Sequence, residues 1–217
     1  MKRALIFLAG EFAGLPEGFL LQPSDFIIAA DGGYGHLRGM HWQPNVLIGD
    51  FDSFLPEWQD DVNQKGIERL VWPAEKDMTD SELALELAMQ RGCTSAIVFG
   101  GWGGARMDHA VANLLLLASF RQKDFPIILS HGVQQACVIS NEIVQLCGDD
   151  GNYISLIPCT ADVAGVTTSG MRYPLIRHTL KAWSSFGVSN QFIGQVASVC
   201  CEDGMLLVIW FGKLQNR

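Results

Sequence analysis

Charged residues are scarce in this chain. They make up 18% of its 217 residues, against about 25% in an average globular protein, while 48% are hydrophobic. That balance excludes a disordered chain, which cannot bury enough apolar surface to offset the entropy of ordering. Basic residues are the scarcer sign: 15 Lys and Arg against 23 Asp and Glu, a net charge of −8. A general nucleic-acid binder needs a basic face, so that class is disfavoured. Long apolar runs are missing too. The longest candidates, Ala110–Phe120 and Met205–Phe211, fall well short of the ~18 residues that cross a bilayer, so no membrane segment is expected. Met1-Lys2-Arg3 followed by Ala4–Gly10 mimics a signal peptide, but the apolar stretch ends at Glu11 with no small-x-small cleavage site, which favours a first strand. Six cysteines occur without a C-x-x-C and without a His at ligand spacing. They read as reduced, buried thiols of a cytoplasmic protein. There is no Ser-His-Asp or Cys-His arrangement, no P-loop pattern and no clean G-x-G-x-x-G. His36, His41, His131 and His178 are scattered and read as structural or surface residues.

Glycine is abundant, 23 residues, and clustered. Acidity is uneven: residues 1–130 hold 17 acids and 10 bases, residues 131–217 hold 6 and 5. The first part alternates buried-strand runs (Leu5–Ala9, Phe26–Ala30, Val46–Ile48, Ile67–Val71, Ala96–Phe99) with helix patterns near Tyr34–Met40, Glu57–Lys65, Asp80–Gln90 and Asp108–Gln122. This order predicts an α/β fold, a mainly parallel Rossmann-like sheet with helices on both faces. Thr79-x-x-Glu82 fits a capping box at the third helix. Beyond about residue 133 the helical period disappears. Short runs at Ala136–Ser140, Ile143–Leu146, Tyr153–Pro158, Thr179–Trp183, Gln195–Cys201 and Met205–Phe211 predict an all-β sandwich. Asp203-Gly204 reads as a hairpin turn. The expected division is an α/β domain at 1–135 and a β-sandwich domain at 136–217.

In open parallel sheets, ligands bind outside the carboxyl ends of the strands. Four polar clusters follow predicted strands. Asp31-Gly32-Gly33 allows a tight turn and close approach of a phosphate or sugar; alone, it reads as an ordinary turn. In Gly49-Asp50-Phe51-Asp52-Ser53 the two acids are two apart, so an extended chain points both the same way. Paired carboxylates repel unless a cation or proton compensates, and hard oxygen donors suit Mg²⁺; a solvated acidic loop is the alternative. Lys76-Asp77-Met78-Thr79-Asp80 opens a helix. Capping alone explains Thr79 and Asp80, and explains Lys76 and Asp77 less well. Gly100-Gly101-Trp102-Gly103-Gly104-Ala105-Arg106-Met107-Asp108-His109 puts glycine-rich backbone before a helix, a ready anion site to which Arg106 adds a bidentate donor. Together these form an anion cradle, a cation clamp and basic residues. That set suits Mg²⁺-dependent transfer or hydrolysis of a nucleotide phosphate, which needs positioning and charge neutralisation more than covalent help.

The same four clusters, with Thr167-Thr168-Ser169-Gly170-Met171-Arg172-Tyr173 and Gly187-Val188-Ser189-Asn190 in the β part, resemble the thiamine pyrophosphokinase family across nearly the whole chain. The resemblance implies transfer of the diphosphate of ATP to the hydroxyl of thiamine, giving thiamine diphosphate and AMP. It implies Mg²⁺ held by Asp50, Asp52 and Asp80, with Asp77 and Asp31 nearby as catalytic-side acids. Asp31, Gly32, Gly33, Lys76, Gly103, Gly104 and Arg106 would bind ATP. Thr79, Asp108, His109, Tyr173, Ser189 and Asn190 would bind thiamine, Tyr173 stacking on it. A cytoplasmic homodimer is implied, with sites between one subunit's catalytic domain and the partner's β domain. Ala105 departs from the pattern, which usually has Gly before the Arg, and Ala tolerates positive φ poorly. Two alternatives remain on the residues alone: a diphosphokinase for another heterocyclic alcohol such as a hydroxymethylpterin, or a non-catalytic nucleotide-binding module.

Overall fold

The computed structural model describes residues 2–51, 54–73 and 77–214. The chain divides into two units, Met1–Ala13 with Leu21–Leu116, and Gly14–Leu20 with Leu117–Arg217. Among the described residues no helix is long and apolar enough to cross a membrane.

The first unit runs β1 (Arg3–Phe7), β2 (Phe26–Ala30), α1 (Gly33–Gly39), β3 (Val46–Gly49), α2 (Pro56–Lys65), β4 (Glu68–Val71), α3 (Asp80–Gln90) and β5 (Ser95–Phe99), and α4 (Met107–Gln122) leads out of it. Its strands are all parallel, in the order β5-β1-β2-β3-β4. β1, β2, β3 and β5 are unbroken apolar runs because both sheet faces are covered: α1 packs on β1 and β2, and α3 crosses β2 and β3. Each fully buried Leu or Ile in those runs, such as Leu5, Ile28 and Leu47, contributes about 1.5–3 kcal/mol. The helix start at Thr79 is as read, its hydroxyl accepting a hydrogen bond from the Glu82 amide at 3.3 Å. One expectation fails: Ile67–Val71 is not a buried strand. β4 is the last strand of the order, its two end residues are exposed and its two middle ones half-buried, and Val71 is 69% exposed. Glu68 and Arg69 within this short run fit the edge position.

The second unit contains β6 (Ile127–His131), β7 (Gln134–Ile139), β8 (Ile143–Cys147), β9 (Tyr153–Pro158), β10 (Asp162–Ser169), β11 (His178–Lys181), β12 (Asn190–Gln191), β13 (Val196–Cys200) and β14 (Leu206–Phe211). The strands β12-β9-β14-β7-β6 run antiparallel, and β11-β10-β13-β8 form a second antiparallel sheet. Ile154, Leu156, Val208 and Trp210 of the first set meet Val163, Val166, Leu180 and Val199 of the second in one core, which is a sandwich. The early segment 14–20 is tied to this unit by the Lys213–Glu17 ion pair at 2.8 Å and the Leu214 amide on the Glu17 carbonyl. Asp203-Gly204 is a turn, but not a hairpin. β13 pairs with β10 and β8 while β14 pairs with β7 and β9, so the turn carries the chain from one sheet to the other. Turn chemistry specifies the reversal, not the partner of the strand that follows. The reading also missed β10, where Gly165 at φ +65° bulges the strand and breaks its alternation.

Candidate active site at the switch point of the parallel sheet

The strand order turns around β1. β2, β3 and β4 lie on one side of it and β5 on the other, so the crossovers leave β1 and β5 in opposite senses and open a crevice at their carboxyl ends. Backbone crowds that crevice. A Cβ at Gly100 (φ +70°) would overlap the Leu8 carbonyl, one at Gly10 would overlap the Gly100 carbonyl, and one at Gly33 would overlap the Phe7 carbonyl. Side chains are thus kept out of the floor. Above it lies a cavity of about 360 Å³, lined among others by Gly10, Asp31, Thr79, Asp80, Gly100 and Arg106.

The acidic wall centres on Asp31. Its backbone is left-handed (φ +44°), and its amide donates to the Ile48 carbonyl at 3.0 Å. Gly49 leaves room for the carboxylate, since a Cβ there would overlap it. The Asp31 Oδ1 accepts from the Phe51 amide at 3.3 Å. Burial, the Asp80 charge and its hydrogen bond, and the more distant Asp50 charge lift the Asp31 carboxyl to about 6, against the opposing pull of the Phe51 amide. Asp31, Asp50 and Asp80 come from the ends of β2, β3 and the start of α3; Asp31 and Asp80 meet at the cavity, while Asp50 does not line it and reaches Asp31 only through its charge. Among the described residues, no group of three His, Cys, Asp or Glu side chains already forms a metal site. Asp52 and Lys76 lie outside the described residues. Asp77 is exposed and does not line the cavity.

A raised carboxyl makes folding depend on pH. The folded chain holds the proton more tightly than the unfolded one, so stability falls as pH rises from about 3.8 to about 6 and stays lower above that. Asp31 is half-buried, so solvent screening leaves about 1 kcal/mol of that penalty, or ~3 °C for a chain this long. In metal-free protein, Asp31→Asn is expected to raise the melting temperature by about that much at pH 7.5 and not at pH 4. Thermal melts in chelator at both values check this, and an equal gain at both would contradict an origin in the half-buried Asp31 charge, which burial first and Asp80 second make costly.

The opposite wall is the glycine loop. Gly103 and Gly104 take the left-handed backbone (φ +87° and +78°), while Ala105 does not, so the departure at Ala105 falls where Ala is tolerated. Arg106 forks onto Asp108 with Nε and Nη2 at 2.9 and 2.7 Å. Both are largely exposed, 69% and 65%, and the guanidinium holds the Asp108 carboxyl well below the usual range. Exposed His109 also lines the cavity. Gly32 underlies the turn against Ala9. Sequence reading missed Gly10 and Asn113. Asn113 is buried and donates to the Gly101 carbonyl at 2.7 Å, pinning the loop to α4. Its signal was a lone amide within the apolar run Ala110–Phe120.

Tyr173, Ser189 and Asn190 belong to the all-β unit. The Asn190 amide is committed to backbone: its Oδ1 accepts from the Tyr173 amide at 3.0 Å and its Nδ2 donates to the Tyr173 carbonyl at 2.8 Å. It therefore fixes the Tyr173 segment, whose ring is 64% exposed. Ser189 is left-handed (φ +65°), and its amide donates to Ser155 Oγ. Thr79 likewise spends its hydroxyl on the α3 cap.

A glycine floor, converging carboxyls and a loop arginine at the switch point of a parallel sheet define a phosphate-handling enzyme of the open α/β class, here carrying an all-β unit. Residues 19–129 match the family model for the thiamin pyrophosphokinase catalytic domain, and residues 140–206 the model for its vitamin B1 binding domain. The chain belongs to the thiamin pyrophosphokinase family and is an enzyme. It is 29% identical to the thiamine pyrophosphokinase of Bacillus subtilis (strain 168) over 76% of this chain and 78% of that one. It is 25% identical to thiamine pyrophosphokinase 1 of Oryza sativa subsp. japonica over 82% and 69%. The crystal structure of the Geobacillus thermodenitrificans thiamin pyrophosphokinase superposes with TM-score 0.82 at 27% identity, covering all of both chains.

Proposed function

We propose that the chain transfers the diphosphoryl group of ATP to the hydroxyl of thiamine, releasing thiamine diphosphate and AMP, and that it needs Mg²⁺. The observation that carries this reading is the contact of Asp31 with Asp80 on one wall of a cavity whose other wall is the Gly100–Arg106 loop. Two carboxyls in hydrogen-bond contact need a shared proton or a cation, and their hard oxygens fit Mg²⁺. Asp31, Asp50, Asp52 and Asp80 would hold it, and bound there it would neutralise phosphate charge. The backbone amides of Gly32, Gly33, Gly103 and Gly104, with Arg106 and Lys76, would hold and orient the triphosphate. In the transfer, the thiamine oxygen forms a bond to the β-phosphorus, the bond from that phosphorus to the α,β-bridging oxygen breaks, and the hydroxyl proton is lost. Asp77 belongs to the same acidic stretch. Thr79, Asp108 and His109 would border the acceptor, against which the Tyr173 ring would stack, supported by Ser189 and Asn190.

The protein would act as a cytoplasmic homodimer. The exposed apolar groups of the all-β unit, Tyr173, Ile176, Trp183 and Phe186, support a partner surface there. The domain division would follow function, 1–135 for nucleotide and 136–217 for thiamine. The direct test is purified protein with ATP, Mg²⁺ and thiamine. AMP and thiamine diphosphate in equal amounts are expected; ADP with thiamine monophosphate would overturn the reading. Tyr173→Ala is expected to raise the KM for thiamine about tenfold and that for ATP less than twofold, since stacking of a flat ring on an exposed aromatic is worth about 1 kcal/mol or more. Steady-state kinetics with each substrate varied separates this from a general defect, which would move both.

A further inference from the structure

The Phe51 backbone is left-handed at φ +59°, a conformation that a bulky residue adopts only when its surroundings hold it there. That conformation lets its amide reach Asp31 Oδ1, and it sits between Asp50 and Asp52, two of the acids proposed to hold Mg²⁺. What fixes it is the ring. Phe54, buried beside Tyr34 and Trp58, meets it edge-on at 5.3 Å. On the ring's face lies the Arg69 guanidinium, with Cζ 4.7 Å from the centroid. Arg69 belongs to β4, where it stands opposite Leu47 of β3. Its Nε is buried with no hydrogen-bond partner among the described residues, so the aromatic face takes the place of a polar one.

We propose that Arg69 is a positioning residue: by clamping the Phe51 ring it holds the left-handed turn that follows Asp50 and keeps the Phe51 amide on Asp31 at the cation site. This rests on the proposed Mg²⁺-dependent reaction. It assigns a role to an edge-strand arginine that touches no substrate.

Two readouts test it. In metal-free protein, the Phe51 amide should exchange with solvent at least fivefold faster in Arg69→Leu than in wild type, while amides of β1 and β2 keep their protection. In turnover, Arg69→Leu should raise the Mg²⁺ concentration for half-maximal rate about fivefold, the loss of one partly desolvated cation–π contact, and leave the KM for thiamine unchanged. Phe51→Leu should give the same Mg²⁺ shift, and the double variant should be no worse than either single. Arg69→Lys should recover part of it. Arg69→Gln serves if Arg69→Leu does not fold. Unchanged Phe51 exchange and an unchanged Mg²⁺ requirement would overturn the proposal, as would single-variant effects that multiply. A wild type without turnover would instead sink the proposed function, and the exchange measurement would still decide the role of Arg69.

Discussion

Asp80→Asn is expected to lower kcat by at least about 100-fold while leaving the melting temperature of metal-free protein unchanged or slightly higher. The two effects have different origins. Asp80 sits in the first turn of α3, where an acid gains about 0.3–1 kcal/mol from the helix dipole. The same carboxyl is pressed against Asp31, and removing its charge relieves that repulsion. The terms oppose each other, so stability barely moves. Catalysis has no such compensation: losing one preorganised charge partner of a transferring phosphoryl group costs about 100- to 1,000-fold. Steady-state rates with a thermal melt in chelator check both halves. A variant that loses turnover and stability together would mean that Asp80 mainly builds the helix.

Arg106→Ala is expected to lower kcat/KM for ATP about 100-fold, to change the KM for thiamine less than threefold and to leave the melting temperature unchanged. The ion pair with Asp108 is exposed, so breaking it does not cost the fold. Asp108 occupies Nε and one hydrogen of Nη2, which leaves three N–H donors of the guanidinium. The pair holds the side chain at the cavity rim with donors to spare. Varying ATP at saturating thiamine, and the reverse, checks the asymmetry. Equal loss for both substrates would mean that Arg106 orders the whole loop rather than meeting phosphate.

Legibility in the sequence followed the range of the physics. α3 was readable to the residue because its start is local: Thr79 and Glu82 are three apart and complete the cap between themselves. β1, β2, β3 and β5 were readable because strands buried on both faces are apolar throughout. β4 was misjudged because edge position depends on strand order, which no five-residue window contains. β10 was missed because Gly165 disguised an eight-residue strand as a loop. At the site, Asp31 and Asp50 were visible as the polar ends of apolar runs and Asp80 as a helix start, but which acids meet was not. Asp31 and Asp80 are 49 positions apart, and their contact depends on the left-handed turn at Asp31 and the missing Cβ of Gly49. Gly10 escaped notice because its role is to be small beside Gly100, a fact of packing between β1 and β5 rather than of either segment.

The central claim is that acids from three crossovers gather one divalent ion beside a nucleotide at the β1–β5 crevice. Anomalous diffraction from a crystal grown with Mn²⁺ and α,β-methylene-ATP tests it most directly. The account predicts a Mn²⁺ peak among Asp31, Asp50 and Asp80, with the triphosphate along the Gly100–Arg106 loop. A metal peak away from these carboxylates, or a nucleotide bound outside the crevice, would contradict it.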